Sequence, residues 1–125
     1  MLAVGAPGED VGSQRDAGSV SLVPPILGFQ GCFPRILTQA DGLAGLPRAG
    51  NRVGAAITSA EGEISEDTTR DTLVIGAPGT DRGRATDAGQ VILWDTSGAE
   101  FTVGFGHRLG DIKGLRFGSV VAAFG

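Results

Sequence analysis

The chain is short of the residue types on which most site chemistry is built. Its 125 residues include one cysteine, Cys32, so no disulfide can close within it, and the lone thiol reads as a small, partly buried hydrophobe. His107 is the only histidine, which excludes a histidine-pair metal centre, and with no second catalytic group at fixed spacing it reads as a solvated loop residue. There is no Gly-x-Ser-x-Gly elbow and no phosphate-cradling loop ending in Gly-Lys-Ser/Thr. Gly104-Phe-Gly-His-Arg-Leu-Gly110 superficially resembles a dinucleotide loop, but one residue too many precedes its last glycine and no amphipathic helix follows, so it reads as a turn. No catalytic residue is assigned, and a non-enzymatic protein is expected. Nine arginines and one lysine stand against 14 carboxylates, for a net charge of −4, with no basic patch and no basic-aromatic interleaving, which argues against nucleic acid. No apolar run reaches the roughly 18 residues needed to cross a bilayer. Met1 opens a strand pattern rather than a charged and then apolar leader.

What is abundant is glycine, 22 residues without any Gly-X-Y period, which points to many turns. The turns are periodic. The segment from Leu2 to Val23 recurs without a gap from Leu73 to Trp94, with 12 of 22 positions identical. Gly5 and Gly76, Asp16 and Asp87, and Gly18 and Gly89 each stand 71 residues apart. A repeat unit of this kind cannot bury its apolar face alone, so the chain is read as part of an array.

Within each unit, Leu2-Ala-Val and Leu73-Val-Ile are short apolar runs stopped by Gly-Ala-Pro-Gly, as in strands covered on both faces. A long loop rich in Gly and Asp follows, in which glycine supplies positive φ and aspartate caps backbone amides. Val20–Val23 and Val91–Trp94 return as second strands. Arg52-Val-Gly-Ala-Ala-Ile and Arg116-Phe-Gly-Ser-Val-Val, 64 residues apart, are expected as a third strand type, and Ile36-Leu-Thr-Gln and Phe101-Thr-Val-Gly-Phe as a fourth. Four antiparallel strands per unit is the arithmetic of a β-propeller blade. The fold class is therefore all-β: antiparallel four-stranded blades of an incomplete propeller.

With Phe117-Gly118 and the two Gly-Ala-Pro copies at 5–7 and 76–78, the chain resembles the FG-GAP repeat proteins, the integrin α-like β-propellers, in the form found in secreted bacterial proteins. Propellers close with about 4–8 blades, so a chain of this length is expected to be a fragment. The expected layout is a partial blade of three strands over 1–48, a complete blade over 49–110, and the first strand of a further blade over 111–125.

One stretch, Glu61 to Asp71, holds five of the 14 carboxylates. In FG-GAP repeats the corresponding loop carries a calcium site. Aligned on both flanks, Glu61, Glu63 and Ser65 fall at its first three ligand positions and Asp71 or Thr72 at the last. The central glycine is absent and about three residues are inserted, whereas calcium needs six to eight or so oxygens on a tightly turned loop. Two readings stay open: a solvated acidic loop, or weak calcium binding through Glu61, Glu63, Asp67 and Asp71, which makes calcium the one candidate cofactor.

The resemblance implies an extracellular or cell-surface protein, an adhesion or ligand-recognition module presenting loops to a protein or glycan and completed by the remaining blades of a parent chain. The alternatives are an accessory propeller region of a secreted hydrolase or phospholipase-like enzyme, or a truncated fragment without independent function.

Overall fold

A computed structural model describes residues 2–24, 34–61, 71–95, 100–103 and 112–122. Those residues form seven strands and no helix: β1 (Leu2–Ala6), β2 (Ser19–Val23), β3 (Arg35–Leu37), β4 (Ala56–Glu61), β5 (Asp71–Ala77), β6 (Gln90–Asp95) and β7 (Glu100–Val103). They make two antiparallel sheets, ordered β1-β2-β3 and β4-β5-β6-β7. The fold is all-β, with strands consecutive in sequence paired within each sheet. No helix among the described residues is long and apolar enough to cross a membrane.

Register sets which faces meet. In the first sheet Ala3 pairs with Leu22, Gly5 with Val20, and Val20 with Leu37, so these side chains share one face. In the second, Ile57 pairs with Ile75 and Ile75 with Ile92, while Leu73 pairs with Trp94. Val20, Leu22, Leu37, Leu73, Ile75, Ile92 and Trp94 are buried in one apolar cluster that also takes in Ala3, Leu43, Val53 and Ile57. The second sheet thus lays its Leu73/Ile75 face on the Ala3/Val20 face of the first. Each large aliphatic or aromatic side chain buried this way stabilises the pair by roughly 1.5–3 kcal/mol.

The duplicated strands fall where the apolar runs place them, although β1 and β5 continue through Gly-Ala and stop only at proline, which has no N–H to donate. The third strand type is displaced. Arg52-Val-Gly-Ala is a turn, with Arg52 at φ 57 and Gly54 at φ 87, and the strand starts four residues later at Ala56. Left-handed backbone at Arg52 cannot continue a strand, whose residues need negative φ. Arg116 and Gly118 repeat it at φ 54 and φ 90, and residues 112–122 hold no strand, only a single parallel bridge from Gly89 to Phe117. The strand expected there has no partner to form a ladder with among the described residues. The fourth type is short, Arg35–Leu37 rather than a run through Gln39. Thr38 leaves the strand to form a turn, its hydroxyl accepting the amides of Ala40 and Asp41.

Candidate functional site

The two long loops, 7–18 and 78–89, have one backbone design. In the first, the amide of Glu9 donates to the Ala6 carbonyl at 3.1 Å, Val11 and Gln14 exchange amide-to-carbonyl bonds at 3.0 Å each, and Gly18 donates to the Glu9 carbonyl at 2.9 Å. In the second, Thr80 donates to Ala77 at 3.3 Å, Arg82 and Ala85 exchange bonds at 3.0 Å each, and Gly89 donates to Thr80 at 2.9 Å. Inside each loop an aspartate acts as a staple. Asp10 Oδ1 accepts the amide of Asp16 at 3.0 Å, and Asp81 Oδ1 accepts that of Asp87 at 2.9 Å. Asp16 and Asp87 lie at φ 53 and φ 52, a region that aspartate tolerates better than most residues. The aspartates before Ala-Gly are thus turn-formers, as expected, but the capping oxygen comes from the aspartate six residues earlier.

Each loop then receives the Arg-x-Gly turn that follows. Gly50, Arg52 and Val53 donate to the carbonyls of Arg15, Asp16 and Ala17 at 2.8, 3.0 and 3.0 Å, and Gly114, Arg116 and Phe117 donate to Thr86, Asp87 and Ala88 at 2.8, 2.8 and 2.9 Å. The two sequence spacings, 71 in the loops and 64 in the turns, are the two halves of one interlock. On its other side the first turn grips the second sheet, Gly54 donating to the Gly76 carbonyl at 3.0 Å and Gly79 donating to Asn51 at 3.2 Å. Glycine is required at these approaches, because a β-carbon on Gly5 would overlap the Gly54 carbonyl and one on Gly76 the Gly118 carbonyl.

Asn51, which no sequence pattern singled out, holds the linker between the sheets. It is 2% exposed, and its Nδ2 donates to Gln39 Oε1 at 2.7 Å and to the Leu46 carbonyl at 3.2 Å, while Gln39 Nε2 donates to the Ala44 carbonyl at 3.0 Å. Its counterpart in the next turn is Leu115, so the repeat gave no signal for it.

Of the candidate calcium ligands, Glu61 and Asp71 are brought together as the last register pair of β4 and β5. Glu63 and Asp67, like Ser65, Cys32 and His107, lie outside the described residues. Among the described residues, no three His, Cys, Asp or Glu side chains gather at metal-binding distance.

The face of the first sheet turned away from the core is open. Leu2, Val4 and Ile36 are 61%, 45% and 60% exposed there, whereas Ile75, the repeat counterpart of Val4, is fully buried. Beside them a cavity of about 380 Å³ is lined by Ala6, Glu9, Asp10, Val11, Ile36 and Thr38 among others. Its lining combines two acidic residues with the hydroxyl-bearing Ser19, Ser21 and Thr38 and the apolar Val11 and Ile36.

No family model, no curated protein and no solved structure matches the chain.

Proposed function

We propose that the chain is a stretch of an FG-GAP β-propeller whose work is non-enzymatic recognition of a protein or glycan at the cell surface or outside the cell. In this reading the four-stranded sheet is a blade, the three-stranded sheet belongs to a second, and residues 111–125 open a third. The observation that carries it is the loop-and-turn interlock, which recurs bond for bond although several of the residues it links differ. Its constant parts are the glycines, Asp10/Asp81 and Asp16/Asp87. The exposed or half-exposed positions between them change from Val11 to Arg82, from Ser13 to Arg84 and from Arg15 to Thr86. A fixed backbone carrying different side chains on adjacent loops is the arrangement expected of a binding rim.

The test is an array of extracellular-matrix proteins and glycans probed with the labelled chain. Binding that is lost when residues 82–86 are replaced by Val-Gly-Ser-Gln-Arg, the sequence of 11–15, supports the reading. Absence of any bound ligand, or binding indifferent to the exchange, overturns it.

Calcium belongs to the same proposal, with Glu61, Glu63, Asp67 and Asp71 as ligands. The register of β4 on β5, which sets the backbones of Glu61 and Asp71 opposite each other at the open end of the pair, supports it. Isothermal titration should show heat in the range of about 0.1–1 mM calcium that extracellular modules occupy, absent in the Glu61→Gln, Asp71→Asn double variant. No heat at millimolar calcium removes the site.

A further inference from the structure

The interlock gathers cations that are dispersed in the sequence. Of the 10 Lys and Arg, Arg70 and Arg108 lie outside the described residues and Arg35 is on β3. All the others stand on the loops 7–18 and 78–89 or on the turns 48–54 and 112–119 that dock into them. Loop and turn alternate along one row, because the first turn is bonded to the first loop through Gly50, Arg52 and Val53 and to the second through Gly79. Arg15, Arg48, Arg52, Arg84, Lys113 and Arg116 are exposed on it. Arg52 is exposed although a sheet lies on either side of its turn, so exposure at this position is a property of the interlock.

The carboxylates of these segments are placed differently. Neither turn holds one. In the loops, Asp10 and Asp81 are engaged by the amides of Asp16 and Asp87, and Asp16 Oδ1 lies 3.6 Å from the position of a β-carbon on Gly8, turned back over its own loop. The far end of the second sheet has the opposite sign. Glu61, Asp71, Asp95 and Glu100 are the terminal residues of β4, β5, β6 and β7 at the end away from the loops. A chain of net charge −4 thus keeps its exposed arginines on one rim, and a field divided in this way steers an approaching anion to that rim.

We infer that the row binds a linear acidic polysaccharide, whose sulfate or uronate groups pair with the arginines of successive loops and turns. The inference rests on the reading of the loops as a recognition rim. Arginine suits the task, because its planar fork pairs bidentately with an oxyanion where lysine offers a point charge. A polymer with an anionic group in every repeat matches a row whose backbone also recurs, the amides of Arg52 and Arg116 being held alike by the carbonyls of Asp16 and Asp87. Nucleic acid matches it poorly. The four segments contain one aromatic residue, the half-buried Phe117, so they offer no exposed platform on which bases could stack.

The probe is heparin, titrated calorimetrically into the full chain at salt between about 50 and 200 mM. The plot of log K against log salt should fall with a slope of roughly −3 to −5, as for about four to six neutralised anionic groups. Arg15→Gln with Arg52→Gln should weaken binding about tenfold or more and reduce the slope by about two, and Arg48→Gln with Arg84→Gln should do the same. Arg35→Gln, outside the row, should change neither, and circular dichroism should be the same for every variant. Arg52→Lys keeps the charge without the fork, so it should preserve the slope and lose part of the affinity. No heat with heparin, a salt-independent affinity, an equal loss in Arg35→Gln, or tighter binding of duplex DNA or polyglutamate than of heparin overturns the proposal. Binding of a neutral glycan that needs residues 82–86 but none of the other arginines also overturns it, while leaving the recognition rim in place.

Discussion

The carbonyl oxygen of Gly50 occupies the space that a β-carbon on Gly79 would need, whereas at Gly8, the repeat counterpart of Gly79, the nearest atom to such a carbon is Asp16 Oδ1 at 3.6 Å. Identical Gly-Ala-Pro-Gly sequences thus sit in different environments. One is clamped by the turn that precedes its sheet, and the other is not.

Gly79→Ala should therefore lower stability by about 3 kcal/mol, since backbone on the receiving side cannot yield as a flexible side chain would. Gly8→Ala should change it by no more than about 0.5 kcal/mol. Urea unfolding of both variants, at concentrations where the chain is monomeric, checks the difference. Equal effects would mean that Gly50 does not press on Gly79.

Asn51→Ala strands Gln39 Oε1 and the Leu46 carbonyl in a buried setting. It should cost about 2 kcal/mol. Replacing Asn51 and Gln39 together by leucine removes donors and acceptors at once and should recover part of the loss, a non-additivity that a double-mutant cycle measures. Additive losses would show that the Asn51–Gln39 bond carries no coupling.

Asp81→Ala removes the staple that accepts the Asp87 amide and should cost about 1 kcal/mol, with Asp10→Ala matching it. Hydrogen exchange gives a local reading: the Asp87 amide should exchange faster in the first variant and the Asp16 amide in the second. An unchanged rate at either amide would rule out the staple.

Thr80→Val should leave stability unchanged or raise it by up to about 1 kcal/mol. The Thr80 hydroxyl is buried without a hydrogen-bond partner among the described residues, and a methyl fills its volume without the desolvation penalty. A loss of more than about 1 kcal/mol on thermal unfolding would show that the hydroxyl has a partner, such as ordered water.

The strands bearing the 71-residue repeat were legible because apolar runs bounded by glycine and proline have few other uses. The loop aspartates were legible as turn-formers for the same reason, since both copies keep them. Arg52-Val-Gly misled because a small, β-branched run resembles a strand in one dimension, while the left-handed φ that makes it a turn is imposed by carbonyls 35 to 37 residues earlier, at Arg15 to Ala17. Asn51 left no trace in the repeat, because its role depends on Gln39 folding back toward it. Of the calcium candidates, only the opposition of Glu61 and Asp71 is placed by the fold, through the register of β4 on β5.

Local composition thus determined that the described residues hold strands and no helix, where the duplicated strands lie and that aspartate and glycine shape the long loops, since each of those follows from backbone preferences a few residues wide. Tertiary contact alone decided which glycines are compressed and which apolar face is covered. Those properties belong to pairs of segments, and neither member of a pair encodes the distance to the other.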